Sequence, residues 1–310
     1  MSPFVIALMA GGAREAGAAL ARPARADGLD QLSLLNATRL AVGDIVPYEA
    51  YKQRLIGALR APDVALAAGF RNPSSGILTS AGVTMQSVRG LLGLASQLER
   101  LADSGLRGDV YECGTWRGGT SIFMYHILRQ YDAVRGRGDD ARRGFFAFDS
   151  FQGFKRSGTD KRLDDFLDDD RFAAPLPSVQ RAFELFGVPL DHVRFMRGFF
   201  ESTLPQFGAP PNPIAVLRMD GDLYSSTRVT LRCLYPHVAP GGWVIVDDYL
   251  WTAQGRRHAR KTKLCKQAVD EFRAEHAIDE PILYKYAVPS WRRALTSGAA
   301  KHFVADQCAR

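Results

Sequence analysis

Two pairs of aspartates follow two consecutive apolar segments, and their positions suggest chemistry. Asp220 and Asp222 close the first segment, and Asp247 and Asp248 close the second. A single aspartate after a strand usually caps the next helix, but carboxylates beside buried strands are costly, so two pairs in equivalent places indicate a site. Three or four converging carboxylate oxygens suit a hard cation such as Mg²⁺.

A glycine-rich segment upstream carries a second group of candidate residues. Glu112 ends a short strand, and Gly114, Gly118 and Gly119 follow before a helix. Glycines adopt positive φ and let a ligand approach the backbone, although a purely structural turn has the same composition. The spacing Glu-x-Gly-x-x-x-Gly differs from the Gly-x-Gly-x-x-Gly of dinucleotide-binding turns, which argues against NAD. At the strand end, Glu112 can accept a hydrogen bond from a ligand amine.

A third candidate, Asp149, ends a phenylalanine-rich strand. An acidic residue in this place can accept hydrogen bonds from both hydroxyls of a ribose, as in nucleotide-binding folds. Its alternative role is that of a turn or cap residue together with Ser150. With the glycine-rich turn, Asp149 predicts an adenosine-type ligand that carries an amino-acid-like tail.

Alternating strands and helices must position these residues. Such alternation predicts a mainly parallel sheet with helices on both faces, whose strands point their carboxyl ends into one ligand-binding crevice. The apolar patterns predict strands at 109–113, 144–149, 193–196, 214–219 and 243–246, and a closing hairpin from 282–288 and 291–295. Helical periodicity predicts helices at 48–59, 87–102, 121–131, 160–170, 179–186, 226–235 and 262–276. The helix predicted at 226–235 is expected to stop near the breaker at 239–242.

The composition is that of an ordinary globular protein. The chain has 310 residues, 46% of them hydrophobic and 24% charged, and a formal net charge of +7 that permits an acidic partner without requiring one. One domain of about 200–250 residues can bury a full core. We expect residues 1–75 to form a helical extension, lid or oligomerisation arm, and residues 76–310 to form the main domain. Basic residues cluster in 256–266 and aspartates in 160–170, and such runs are more often solvated faces than binding patches.

The four cysteines, at positions 113, 233, 265 and 308, lie far apart and form no Cys-x-x-Cys pair. Neither a zinc site nor a disulfide framework is therefore expected, and a reducing cytoplasm is the predicted compartment. The apolar segment 4–10 lacks the basic region of a signal peptide and is too short to span a bilayer, so no membrane association is predicted.

Residues 76–295 resemble the macrocin O-methyltransferase family, which methylates sugars of antibiotics. The motif DGDLYSST at 220–227 is the most specific part of this resemblance. The other motifs that carry it are ECGTWRGG at 112–119, DSFQGF at 149–154, RGFFESTLP at 197–205, YP at 235–236, PGG at 240–242, DDY at 247–249 and CKQAVDEFR at 265–273.

The resemblance implies a class I S-adenosylmethionine methyltransferase, a Rossmann-like α/β fold with a mainly parallel seven-stranded sheet. It implies methylation of a sugar hydroxyl of a glycosylated natural product or saccharide, with S-adenosyl-L-methionine and Mg²⁺ as cofactors. The metal-binding aspartates of the family map onto Asp220, Asp247 and Asp248, and its general base maps onto Asp222. The residues assigned to the cofactor are Glu112, Gly114, Thr115, Gly118, Gly119, Thr120, Asp149, Ser150, Gly198 and Phe199.

Three parts of the sequence depart from the family pattern: the N-terminal extension, the segment 84–89 and the basic insertion at 256–263. All three lie where the acceptor would be chosen, so a catechol-type O-methyltransferase acting on small phenols is an alternative. A non-catalytic scaffold with the same fold is a second alternative, disfavoured because clustered carboxylates repel one another without a cation. A nucleic-acid modifier is a third, and the sequence lacks the aromatic-interleaved basic groove that it would need. The N-terminal arm also suggests a homo-oligomer.

Overall fold

The computed structural model describes residues 47–70, 82–136, 143–154, 172–249, 259–284, 288–295 and 308. For residues 259–264 it describes the backbone but not the side chains. The predicted helix at 160–170, the side chains of the basic insertion at 256–263 and residues 1–46 lie outside this description. What the sequence predicts for them stays a prediction.

One sheet of six strands lies at the centre of the described part of the chain. The strands are β1 Asp109–Cys113, β2 Phe145–Asp149, β3 Val193–Arg197, β4 Ile214–Met219, β5 Val238–Val246 and β6 Ser290–Arg292. Their order is β3-β2-β1-β4-β5-β6, with β1 to β5 parallel and β6 antiparallel to β5. Every residue of β1 and β4 is buried, as in a sheet that is covered on both faces. The predicted mainly parallel α/β fold is confirmed.

The sheet has six strands among the described residues, where the resemblance implied seven. In the described residues of the first arm of the predicted closing hairpin, the pairing is an isolated antiparallel bridge between Leu283 and Ser290. The Leu283 N–H donates to the Ser290 carbonyl at 2.7 Å, and the Ser290 N–H donates back at 3.2 Å. One bridge of this kind is too short to make a seventh strand.

Strand β5 begins earlier than the sequence predicts. It starts at Val238 and runs through the glycine-rich segment 239–242, which was expected only to end the preceding helix. Gly241 adopts a φ of +82°, and its N–H donates to the Arg293 carbonyl at 2.8 Å. Pairing with the segment that contains Arg293 therefore outweighs the local tendency of these residues to break regular structure.

Eight α-helices are described. They are α1 Tyr48–Arg60, α2 Pro62–Ala67, α3 Val88–Asp103, α4 Gly119–Val134, α5 Leu176–Leu185, α6 Phe200–Phe207, α7 Tyr224–Leu234 and α8 Ala259–Glu275. Of these, α2 and α6 were missed by the sequence patterns. In the part of the chain that the structure describes, no helix has both the length and the apolar character needed to cross a membrane.

The described part of the N-terminal extension packs into the main core. Tyr51, Leu55 and Leu59 of α1 are fully buried and belong to the same apolar cluster as residues of α3 and α4. The Tyr51 hydroxyl lies 2.7 Å from Nδ1 of the buried His126. The predicted boundary at residue 75 therefore does not separate two cores within the described residues.

The expectation that the cysteines form no disulfide is wrong. Cys233 on α7 and Cys308 form a disulfide across 75 residues of sequence, whereas Cys113 and Cys265 are buried free thiols. Distance along the chain does not prevent pairing, because folding brings Cys308 against Cys233 on α7. The cysteine argument for a reducing compartment therefore does not hold.

Candidate active site

The candidate residues lie at the point in the sheet where the strand order reverses, beside β1. β2 and β3 lie on one side of β1, whereas β4 and β5 lie on the other. Open α/β sheets bind ligands at such a switch point, outside the carboxyl ends of the strands. Here the Gly114 N–H donates to the Phe148 carbonyl at 2.9 Å, and the Asp220 N–H donates to the Cys113 carbonyl at 2.8 Å. The residues that follow β1, β2 and β4 therefore share one crevice.

Close packing explains the glycines of the turn after β1. Gly114 has a φ of +99°, and a Cβ atom there would overlap the carbonyl of Asp220. Gly118 has a φ of +89° and directly precedes α4. The N–H of Gly119 donates to the Val83 carbonyl at 3.0 Å, and that backbone leaves no room for a side chain. Protein contacts thus account for these glycines, and their contact with the cofactor stays a prediction.

Asp149 ties the ends of β1 and β2 together. Its Oδ2 accepts a hydrogen bond from the Trp116 N–H at 2.8 Å, and its Oδ1 accepts one from the Phe151 N–H at 2.8 Å. Burial raises the pKa of Asp149, although these N–H groups favour the ionised form. The hydroxyl of Ser150 also contacts Oδ1, at a longer distance of 3.5 Å. A carboxylate offers about four acceptor sites, so acting as a cap is compatible with accepting from a ribose hydroxyl.

Backbone strain is concentrated at the same strand ends. Trp116, Phe151 and Asp222 follow β1, β2 and β4, with φ of +47°, +57° and +64°. Residues other than glycine rarely adopt positive φ, which costs on the order of 1–3 kcal/mol for residues such as Trp116 and Phe151 and persists only where the surroundings enforce it. Such strain is a frequent property of ligand-binding and catalytic sites.

The remaining residues assigned to the cofactor also follow strands at this edge, and they are Thr115, Thr120, Ser150, Gly198 and Phe199. The Ser150 hydroxyl donates to a backbone carbonyl of its own turn at 2.5 Å. The Gly198 N–H donates to the Asp149 carbonyl at 2.9 Å, which brings the end of β3 beside β2. Thr120 is different, because its hydroxyl lies 3.2 Å from that of Thr84 and so contacts protein.

Three aspartates converge at the ends of β4 and β5. Asp220, Asp222 and Asp248 each offer a carboxylate oxygen, and these oxygens all lie within 4.8 Å of one another. Burial and the nearby charge of Asp247 raise the pKa of Asp220 well above its usual range. A cation would relieve this repulsion, and a donor set made only of oxygens fits a hard divalent ion such as Mg²⁺.

Asp247 is held by one ion pair and one hydrogen bond. Nη2 of Arg218 lies 2.9 Å from its Oδ1, and Nε2 of Gln86 donates to its Oδ2 at 2.7 Å. The sequence placed Asp247 among the metal ligands and Asp222 outside them, whereas the tight group of oxygens contains Asp222. The place of Asp247 in the ligand set therefore stays a proposal.

A buried arginine links the acidic residues, and the sequence analysis missed it. Arg218 is 1% exposed, and its Nη1 lies 2.7 Å from Glu112 and 3.0 Å from Asp220. With Asp247, one guanidinium forms ion pairs with three carboxylates. The available signal was the arginine inside an otherwise apolar strand, because a buried guanidinium requires a carboxylate partner.

Glu112 faces this arginine. Its Oε1 accepts from Arg218 at 2.7 Å, and its Oε2 accepts from the hydroxyl of Ser121. Burial raises the pKa of Glu112 to about 7, although the charge of Arg218 acts in the opposite direction. The sequence placed this carboxylate where it accepts from a ligand amine, but in the structure it is 1% exposed and both oxygens accept from protein donors. The contact of Glu112 with the cofactor stays a prediction.

A family model described as macrocin-O-methyltransferase (TylF) matches residues 67–293. The 8-demethyl-8-(2,3-dimethoxy-alpha-L-rhamnosyl)-tetracenomycin-C 4'-O-methyltransferase of Streptomyces olivaceus is 40% identical over 204 residues, which cover 64% of this chain and 70% of that protein. The mycinamicin III 3''-O-methyltransferase of Micromonospora griseorubida is 39% identical over 207 residues, which cover 64% and 74%.

The fold is similar to that of a solved O-methyltransferase. The structure of the O-methyltransferase NovP aligns with a TM-score of 0.63 and 31% identity, over 80% of this chain and 100% of that one. The match to the family model, at residues 67–293, includes all six strands, the glycine-rich turn and the acidic cluster.

Proposed function

The chain belongs to the macrocin-O-methyltransferase family, and on this premise we propose that it methylates a sugar hydroxyl of a glycosylated natural product or saccharide. Family and fold make the protein an S-adenosylmethionine-dependent O-methyltransferase. The tetracenomycin-C relative is named for a compound that carries a rhamnosyl group. That similarity supports a sugar as the acceptor here.

The observation that carries the proposal is the convergence of three carboxylates beside the strained turns of the switch point. Oxygens of Asp220, Asp222 and Asp248 lie within 4.8 Å of one another, next to the turns after β1 and β2. A sugar hydroxyl is a poor nucleophile because its pKa lies far above neutrality. The crevice therefore needs groups that bind a cation and groups that accept a proton, and this cluster offers both.

We assign Asp220, Asp247 and Asp248 to a divalent cation and Asp222 to proton transfer. When bound, S-adenosylmethionine supplies the methyl group, and Mg²⁺ lowers the pKa of the acceptor hydroxyl. Asp222 accepts the hydroxyl proton as the oxygen is methylated. Its side chain is suited to this role because it is only 8% exposed and lies directly beside the proposed ligands.

Asp222 as an additional metal ligand is the second candidate role. The observation that favours it is that the oxygens of Asp222 and of two proposed ligands lie within 4.8 Å of one another. The two roles differ in their consequence, because a ligand affects cation binding whereas a base affects only turnover.

On the cofactor side, the proposed work of the chain is to hold two turns in a fixed geometry. Asp149 accepts from the N–H groups of Trp116 and Phe151, one from each turn. Its remaining lone pairs point to a role in accepting ribose hydroxyls. Arg218 and Glu112 support the same edge from inside the sheet.

We expect methyl transfer from S-adenosylmethionine to a deoxysugar glycoside that carries vicinal hydroxyls, and we expect a chelator to reduce it to background. The reason is that the carboxylate cluster needs a divalent cation to activate the hydroxyl. The measurement is mass spectrometry of the methylated product with Mg²⁺, with EDTA, and with Mg²⁺ restored.

The acceptor class is tested in the same assay by replacing the glycosides with catechols. Faster methylation of catechols than of any glycoside would favour the catechol-type alternative. Full activity in EDTA after exhaustive metal removal would contradict the proposed cation.

Replacing Asp149 with alanine is expected to abolish measurable binding of S-adenosylmethionine in calorimetry. The substitution removes both hydrogen bonds that hold the turns after β1 and β2, together with the proposed ribose contact. Asp109→Ala is the matched control, because Asp109 accepts from the Gly144 N–H at 2.8 Å at the opposite edge of the sheet. Equal loss in both variants would show a general effect on the fold, and absence of binding to the wild type would favour the scaffold alternative.

A further inference from the structure

The segment 82–87, which precedes α3, crosses the amino end of α4 and reaches the acidic cluster. Its Gly82 carbonyl accepts from Nη1 of Arg117 at 3.0 Å, and its Val83 carbonyl accepts from the N–H of Gly119 at 3.0 Å. These contacts fix the segment against the turn after β1. Its last residue before the helix cap is Gln86, and this residue contacts the end of β5.

The side chains of Gln86 and Arg218 contact different oxygens of the Asp247 carboxylate. Nε2 of Gln86 donates to one carboxylate oxygen at 2.7 Å, and Nη2 of Arg218 lies 2.9 Å from the other. The hydrogen bond on one oxygen and the ion pair on the other together orient the carboxylate of Asp247. Each oxygen keeps a further lone pair, so this orientation is compatible with binding a cation.

We propose that Gln86 is a positioning residue for the divalent-cation site, and that it acts by orienting Asp247. This inference rests on the proposed function, because it requires Asp247 to be a ligand. Hydrogen bonds from surrounding residues to a ligating carboxylate are a common determinant of metal affinity, and their loss typically weakens binding by about 10–100-fold. Through Gln86, the segment before α3 takes part in setting the affinity for the cation.

A glycine of α3 makes room for this side chain. A Cβ atom on Gly90 would lie 2.7 Å from Oε1 of Gln86 and 3.3 Å from the hydroxyl of Ser87. Both neighbours are side chains, and the Gln86 amide is the closer of the two. An alanine at this position would therefore displace the amide from Asp247 while Gln86 itself remains.

The first test is a calorimetric titration of the full-length protein with MnCl₂, used as a probe for the divalent site. Gln86→Met keeps the length of the side chain but removes the donor, and we expect about 10-fold weaker Mn²⁺ binding with S-adenosylmethionine affinity unchanged. Gln267→Met is the matched control, because Nε2 of Gln267 donates to Glu271 at 2.7 Å on the exposed face of α8. This control is expected to bind Mn²⁺ like the wild type.

Gly90→Ala separates positioning from stability. Alanine favours the helical conformation over glycine, so the melting temperature should stay equal or rise. Mn²⁺ affinity should nevertheless fall, because the amide of Gln86 is displaced. A purely structural role for Gln86 does not produce this combination.

Three results would overturn the inference, and they differ in which other conclusions they leave intact. Wild-type affinity for Mn²⁺ in Gln86→Met would refute the role of Gln86 and leave the proposed cation site intact. A wild type that binds no Mn²⁺ at all would refute the proposed cation and this inference together. Equal weakening in Gln86→Met and Gln267→Met would identify a general effect on the fold and would also count against the role of Gln86.

Discussion

Asp222→Asn is expected to lower the turnover number about 10³-fold while binding of S-adenosylmethionine and Mn²⁺ stays close to that of the wild type. General-base catalysis contributes about 10²–10⁴-fold, and an amide cannot accept the hydroxyl proton. The substitution keeps the shape of the side chain and suits the backbone, because asparagine tolerates the φ of +64° better than most residues. Turnover at saturating substrates and calorimetric titrations with each ligand are the measurements.

Asp220→Asn provides the contrast. Asp220 is a proposed ligand, so this variant should lose Mn²⁺ affinity as well as turnover. Loss of Mn²⁺ binding in Asp222→Asn to the same extent would assign Asp222 to the metal instead. Unchanged turnover in Asp222→Asn would remove it from proton transfer.

Arg218→Met is expected to lower the free energy of unfolding by about 3–5 kcal/mol, because removing one partner of a buried ion pair leaves its carboxylates uncompensated. The guanidinium is 1% exposed and is surrounded by Glu112, Asp220 and Asp247 at 2.7–3.0 Å. Chemical denaturation in the absence of divalent cations measures the loss. Saturating Mg²⁺ should recover part of it, because the proposed cation would neutralise Asp220 and Asp247, two of the same carboxylates.

The matched control is Arg228→Met. Arg228 pairs with Glu275 at 2.8 Å, but both side chains are partly exposed, so the loss should be below about 1 kcal/mol. A second comparison combines Arg218→Met with Glu112→Gln, where removing one uncompensated acid should restore some stability. Equal losses for the two arginines would contradict a central role for the buried network.

Much of the fold could be predicted from local patterns. The strand at 109–113 has the predicted bounds, and the helix predicted from residue 87 begins at Val88 with Ser87 as its cap. Apolar strands separated by amphipathic helices leave few arrangements other than a parallel sheet with helices on both faces. The exceptions are informative: β5 extends through its glycines because of pairing with a distant segment, and Cys233 bonds to Cys308 across 75 residues.

The site was partly predictable for a related reason. Carboxylates at the ends of parallel strands must meet at one edge, so Asp149, Asp220 and Asp248 could be placed in the crevice without coordinates. Their chemical roles stay predictions. The arginine inside β4 was visible in the sequence, but its pairing with three carboxylates was not.

By itself, the sequence determined which strands exist, which edge of the sheet carries the acidic residues and which family the chain resembles. Only the tertiary structure decided that Arg218 pairs with Glu112, 106 residues away, and that Gln86 reaches Asp247 across 161 residues. Local conformational preferences depend on neighbours along the chain, and they specify the strand, helix or turn in which a residue lies. The partner of a buried charge depends instead on which segments the packed core brings within hydrogen-bond distance, because the cost of leaving that charge unpaired arises only after water has been excluded.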